Sequence, residues 1–206
     1  MPERTTRSDR VPGAAEPGPV EIALPPSHDD LAHLRAGDEV LLTGPVFAAR
    51  DATHERLLAE LDATGELPFG LEGHVLFYAG PTPATSARPA GSVGPTTAKR
   101  MDAATPRLLA AGIVATIGKG GRSEAVRLAC AEHGAVYFAA VGGAAAFLGS
   151  HVTGSKPIAW SDLGTEALVE LTLERFPAFV GIDTLGTDLY ADARTAWQRE
   201  VLDDGR

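Results

Sequence analysis

The chain has 206 residues, 44% of them hydrophobic and 22% charged, which suits one globular domain with its own core. A formal net charge of −9, from 18 Lys and Arg against 27 Asp and Glu, argues against the basic surface of a nucleic-acid binder, and no apolar run reaches the roughly 20 residues of a membrane span. The one cysteine, Cys130, rules out an intrachain disulfide and any iron–sulfur site built from this chain's cysteines alone.

The N-terminal MPERTTRSDRVPGAAEPGP has no apolar h-region, so a flexible tail over 1–19 on a cytoplasmic protein is expected. VEIALP (20–25) reads as a first strand, followed by polar SHDD and then LAHL. After the turn at Gly37-Asp38, the apolar, β-branched EVLLTGPVFAA (39–49) is a second strand. RDATHERLLAELDATG (50–65) is a helix, with Leu57, Leu58 and Leu61 on its apolar face and Gly65 as C-cap. HVLFYAG (74–80) is a buried strand that runs into a long Gly, Pro, Ser and Thr stretch, 81–97, of the kind that is usually functional or disordered. AKRMDAATPRLLAAG then reads as a helix, IVATIGKGG (113–121) as a strand and glycine turn, and RSEAVRLACAEHG as a helix with Cys130 on its buried face. AVYFAAVGG is a strand, AAAFLGSHV a short helix, and KPIAWSD the start of another strand. EALVELTLERF and AFVGIDTLG read as two strands separated by Pro177, and 191–206 as a terminal helix. The fold class is α/β, a single mixed-sheet domain over 20–190.

Three segments place a cation or hydroxyl beside glycine or a strand-to-helix junction: Phe47 to Asp51 around Arg50, Gly94 to Arg100 around Thr96, and Ile117 to Ser123 around Lys119. In open α/β sheets, ligands gather beyond the carboxyl ends of the strands, where free N–H groups favour an anion. Glycine lets the backbone approach the ligand, and arginine grips a carboxylate with two parallel bonds. Taken singly, each segment reads equally as a surface charge or a tight turn; converging, they make a site for a small di-anion. A phosphate-binding P-loop fails at GIVATIGKGG, because five residues separate Gly112 from Gly118 and Gly120 stands where Ser or Thr is needed. His54, four residues after Arg50, is either a proton carrier near the same crevice or a helix histidine satisfied by a carboxylate. Asp51 is either a first-turn helix carboxylate or a partner that orients Arg50.

GDEVLLTGPVFAARDATHERL (37–57), LPFGLEGHVLFYAGPTPA (67–84), GSVGPTTAKRMD (91–102), IGKGGRS (117–123), AVYFAAVGGAAA (135–146), IAWSDLGTEAL (158–168) and FPAFVGIDTLGTDLY (176–190) occur in the order and spacing of a known family. The chain resembles the C-terminal domain of class I fumarases and the β subunit of L(+)-tartrate dehydratase. The resemblance implies a swivelling β/β/α architecture and a hydro-lyase that adds or removes water on a small dicarboxylic acid. Fumarate to malate leads, with L-tartrate to oxaloacetate and a branched diacid such as mesaconate also open. It implies a 4Fe-4S cluster on a partner α subunit, not ligated here, and hence a hetero-oligomer active only with that partner; a homodimer is possible within it. It carries substrate-binding roles to Arg50, Thr96, Arg100 and Lys119. Thr96 is the proposed proton base, and Lys119, with Arg100, would lower its pKa. With His54 added from its spacing to Arg50, the catalytic set expected is Thr96, Lys119 and His54, with no metal ligand. The competing class is a non-catalytic small-anion-binding or regulatory module of the same fold, for which Thr96 has less use.

Overall fold

The structure, a computed structural model, describes residues 18–84, 86 and 88–203, the last five by backbone alone. All but the last two residues of the expected N-terminal tail, and the last three of the terminal helix, lie outside these. In chain order the elements are β1 (Val20–Ala23), α1 (His28–Ala32), β2 (Glu39–Ala48), α2 (Asp51–Thr64), β3 (Val75–Phe77), α3 (Thr105–Ala110), β4 (Ala115–Gly118), α4 (Glu124–His133), β5 (Val136–Ala139), α5 (Ala145–Gly149), β6 (Val152–Ala159), β7 (Leu168–Ile182) and α6 (Leu189–Asp203).

Strands β1 to β5 run parallel in order, and β7 returns antiparallel to β2, β5 and β6. Because β7 pairs with β2 on one edge and β5 on the other, strands β2-β3-β4-β5-β7 close into a ring, with β1 and β6 outside it. Period-2 alternation divides the core between the two faces of this ring. Val75, Phe77 and Ala79 join one cluster with Val46, Ile117, Phe138, Phe176 and Val180. Leu76 and Tyr78 join the other, against Leu57 of α2, Leu108 of α3 and Val126, Ala129 and Cys130 of α4. Burial pushes the Cys130 thiol up to about 12, so it is the inert core thiol expected of its helix face.

Several elements depart from the sequence reading. The expected helix after Thr97 is two pieces, a 3-10 turn Ala98–Met101 and then α3. Pro106 sits in the first turn of α3, where its missing N–H would have had no helical partner; inside one continuous helix it would remove a bond. The two strands expected around Pro177 are one strand. Val180 N–H donates to Asp38 O beside β2, so by alternation position 177 points to the opposite edge. That edge is unpaired there, because β6 reaches only Leu173 and β5 begins at Phe179. The missing N–H of proline therefore breaks no ladder bond. A bulge just before it, two residues of β7 opposite Thr43, puts Arg175 at φ 48. Helix α1 was not anticipated; Ser27 and Asp30 form a capping box across its start. Helix α6 begins at Leu189, where Asp188 Oδ1 accepts from the N–H groups of Tyr190 and Ala191.

Among the described residues no helix is long and apolar enough to cross a membrane. The ring also sets up the site. Ala48, Phe77, Ile117 and Phe138 lie in one cross-strand row, so the chain leaves β2, β3, β4 and β5 at a common edge.

Candidate functional site

At the first exit, Ala49 N–H still bonds Phe77 O at 3.0 Å, and Arg50 is then extended before α2 begins. Arg50 makes no side-chain cap. The helix start is capped instead by Glu166, whose Oε2 accepts from Ala52 N–H at 2.9 Å and whose carbonyl accepts from the Thr53 hydroxyl. The other oxygen, Glu166 Oε1, lies 3.6 Å from Arg50 Nη2, a loose ion pair on a side chain one-quarter exposed. Arg50 Nε is buried without a partner among the described residues. Gly80 makes room for this guanidinium: a Cβ there would stand 2.8 Å from Arg50 Nη1 and 2.9 Å from Thr165 O. The arginine is thus held at the sheet edge with donor capacity unspent.

The second and third segments are bound to each other. After the excursion beyond β3 the chain returns, and Thr96 N–H donates to Tyr78 O at 2.6 Å. Lys119 N–H then donates to Thr96 O at 3.1 Å, and Ala98 N–H to Lys119 O at 2.9 Å. The Thr-Thr segment therefore continues the ladder along the end of β4 where β3 has stopped. Gly118 permits this approach, since a Cβ would meet Ala98 Cβ and Tyr78 Cδ2 at 2.9 Å. The Lys119 stem passes over Gly142, whose added Cβ would be 3.3 Å from Cδ. Lys119 also borders a cleft of about 560 Å³ walled by Val141, Phe179, Leu189 and Tyr190, with Thr97 at its side.

Arg100, on the 3-10 turn after Thr97, is half exposed and donates Nε–H to Asp51 Oδ1 at 2.9 Å, with Nη2 2.9 Å from Oδ2 in the same ion pair. Asp51 is thus a first-turn carboxylate whose partner is Arg100 rather than Arg50. This pair ties the Arg50 corner to the Thr96 segment, so the structure joins Arg50, Thr96, Arg100 and Lys119 through one run of contacts.

His54 sits under that corner, 3% exposed, with Nδ1 2.8 Å from Arg50 O and its ring edge-on to Tyr78. A carbonyl only accepts, so Nδ1 carries the hydrogen and Nε2 is bare; Nε2 has no partner among the described residues. Burial lowers its pKa to about 4, against the smaller opposing pull of the Arg50 carbonyl, and the ring is neutral at pH 7.

Two features escaped the sequence reading. Glu166 sits in the connection between β6 and β7, with no local pattern linking it to α2. Arg122 lies inside a segment already singled out, yet its guanidinium points into the core instead of the crevice. Its side chain is fully buried, with Nε 2.6 Å from Asp102 Oδ1 and Nη2 2.7 Å from Thr105 Oγ1. A basic residue in a glycine turn is normally read as solvent-facing, and only the assembled core reveals the carboxylate that receives it.

The described residues do not suit an iron–sulfur cluster. Cys130 is buried in the helix-side core, and no group of three His, Cys, Asp or Glu residues able to hold a metal occurs among the described residues.

Comparison with known proteins agrees with the motifs. The profile of the family described as Fumarase C-terminus matches residues 2–193. Class I anaerobic fumarate hydratase of Escherichia coli K12 is 38% identical over 151 residues, 72% of this chain and 28% of that protein. Fumarate hydratase 1, mitochondrial, of Leishmania major is 37% identical over 151 residues, with the same two shares. The L(+)-tartrate dehydratase subunit beta of Escherichia coli K12 is 31% identical over 180 residues, 83% of this chain and 86% of that subunit. The chain spans 28% of the length of each of these two fumarate hydratases but most of the tartrate dehydratase subunit. On the profile match and on these identities, the chain belongs to the Fumarase C-terminus family.

Proposed function

We propose that the chain is the β-type subunit of a hydro-lyase that reversibly adds water to, or removes it from, a small dicarboxylic acid, hydration of fumarate to malate ahead of dehydration of L-tartrate to oxaloacetate. The observation that carries this reading is the backbone ladder joining Thr96 to Lys119 at the sheet edge where Arg50 and Arg100 stand. In a protein of net charge −9, three cations and a hydroxyl in one run of contacts make a seat for a di-anion.

Arg50 and Arg100 bind and orient the carboxylates. Arg50 brings the unspent Nε–H, and Arg100 a guanidinium that exchanges part of its Asp51 pairing for substrate. Taking a proton from the carbon beside a carboxylate drives negative charge onto that carboxylate, and a cation already in place, Lys119, stabilises it. Thr96 Oγ1 takes the proton; an alcohol does so only where neighbouring positive charge favours its anion, which Lys119 and Arg100 supply. His54 holds the Arg50 carbonyl as a neutral imidazole. The chain's part is confined to binding carboxylates and moving the proton. The 4Fe-4S cluster implied by the family is assigned to a partner α subunit, since the ligand set here does not fit it.

The test is anaerobic co-expression with the cluster-bearing partner, followed by turnover assays on fumarate, malate and L-tartrate. A complex that turns over one of them supports the reading and names the substrate. Thr96→Ala should then lower kcat by at least about 100-fold while the complex still assembles. A well-assembled complex inert on every diacid would return the chain to a small-anion-binding module.

A further inference from the structure

Arg122 is a buried cation whose partners lie outside the crevice, yet several of them adjoin or bond the segments that form it. Its Nε bonds Asp102 Oδ1 at 2.6 Å, and the second oxygen of Asp102 accepts from Ser123 N–H at 2.6 Å. Asp102 directly follows the 3-10 turn that carries Arg100, and Ser123 stands at the start of the helix that follows the Lys119 loop. Nη2 donates to Thr105 Oγ1 at 2.7 Å, and Thr105 is itself 3.0 Å from the hydroxyl of Tyr78, whose carbonyl holds Thr96 N–H. The guanidinium carbon lies 5.2 Å from the Tyr78 ring centroid and 4.9 Å from that of Tyr137. Tyr137 in turn donates its hydroxyl to Gly120 O at 2.8 Å, immediately after Lys119.

We infer that Arg122 is a positioning residue whose guanidinium, bonded to Asp102 and held between Tyr78 and Tyr137, sets Lys119, Arg100 and Thr96 in one fixed geometry. The choice of residue types supports this. Packing alone would be served as well or better by apolar side chains, since a buried ion pair is often no more stable than a hydrophobic replacement of similar volume. What the pair adds is direction: a planar fork with five donors fixes several partners at once, which lysine cannot do. A rigid supporting layer matters because catalytic groups misplaced by about 1 Å lose roughly 100-fold in rate.

The functional half of this inference rests on the hydro-lyase reading; the geometric half does not. The experiment therefore has two readouts on Arg122→Lys, with Leu173→Ala, in the ring core far along β7, as a destabilised control. In the full chain, amide exchange at Ala98 and Lys119 should quicken about tenfold or more in R122K, with the β6–β7 hairpin unchanged. L173A should show the reverse. In the complex with its partner, well below both melting temperatures, kcat in R122K should fall about 10- to 100-fold with KM changed by less than about threefold. Should R122K fail to fold, Asp102→Asn reads the same brace from its other end. Unchanged exchange at the two loops, or a kcat loss no greater than in L173A, overturns the inference. If the wild-type complex turns over no diacid, the hydro-lyase reading falls and the exchange result still decides the role of Arg122.

Discussion

His54 binds a proton only at about pH 4 in the folded chain, against an ordinary value of 6.5, because burial disfavours the imidazolium. Its unfolded form takes up that proton between these values, so folding stability is full above pH 6.5 and falls as the pH drops towards 4. At one kilocalorie and a third per unit, the loss is about 3 kcal/mol. Urea titrations at pH 7.5, 5.5 and 4.5 should show this slope, and His54→Gln should flatten it; an equal slope in both proteins would place the acid sensitivity elsewhere. The contacts of this ring, the Arg50 carbonyl and the Tyr78 face, are likewise set by the fold rather than by spacing. The spacing puts His54 one turn from Arg50, but whether the ring meets solvent, a carboxylate or a carbonyl depends on Tyr78 and on the strand beneath. Asp51 is parallel: its place in the first turn was legible, and its partner Arg100, 49 residues away, was not.

Among the elements, α2 was the most legible, since its leucine spacing and Gly65 cap are local features. Gly65 lies in the left-handed region with φ 79, and its N–H closes on Leu61 O. Strand β7 shows where a local rule misleads. Proline breaks a strand only when the missing N–H would face a partner, and at Pro177 it faces the gap between β6 and β5. Pro177→Ala should therefore alter stability by less than about 1 kcal/mol. Ala178→Pro, one residue along, removes an N–H directed at β2 and should cost roughly 3 kcal/mol. Equal effects of the two substitutions in denaturant titrations would refute this edge assignment. The start of α2 carries the converse lesson, because its cap comes from Glu166, over a hundred residues later.

At the scale of the whole molecule, closure of β2-β3-β4-β5-β7 makes the ring one cooperative unit, with β1 and β6 attached from outside. Native-state hydrogen exchange should find the slowest amides in the ring and faster ones in β1 and β6. Cys130, shielded against the ring's helix-covered face, should react with a thiol reagent only as fast as the global unfolding that those slow amides report. Labelling much faster than that would show that α4 opens separately. By itself the sequence determined the alternation of strands and helices, the buried thiol face, the family, and the three segments, at glycine or at a strand-to-helix junction, that bear Arg50, Thr96, Arg100 and Lys119. Each of these rests on periodicity, turn chemistry or contiguous motifs, which act over a few residues. Tertiary structure alone decided the closure of the sheet and the unbroken course of β7. It also decided the pairing of Asp51 with Arg100, the cap from Glu166 and the inward turn of Arg122 onto Asp102. Those depend on which distant backbone edge or carboxylate arrives at a given point. A charged side chain reads the same in sequence whether water or a buried partner finally receives it.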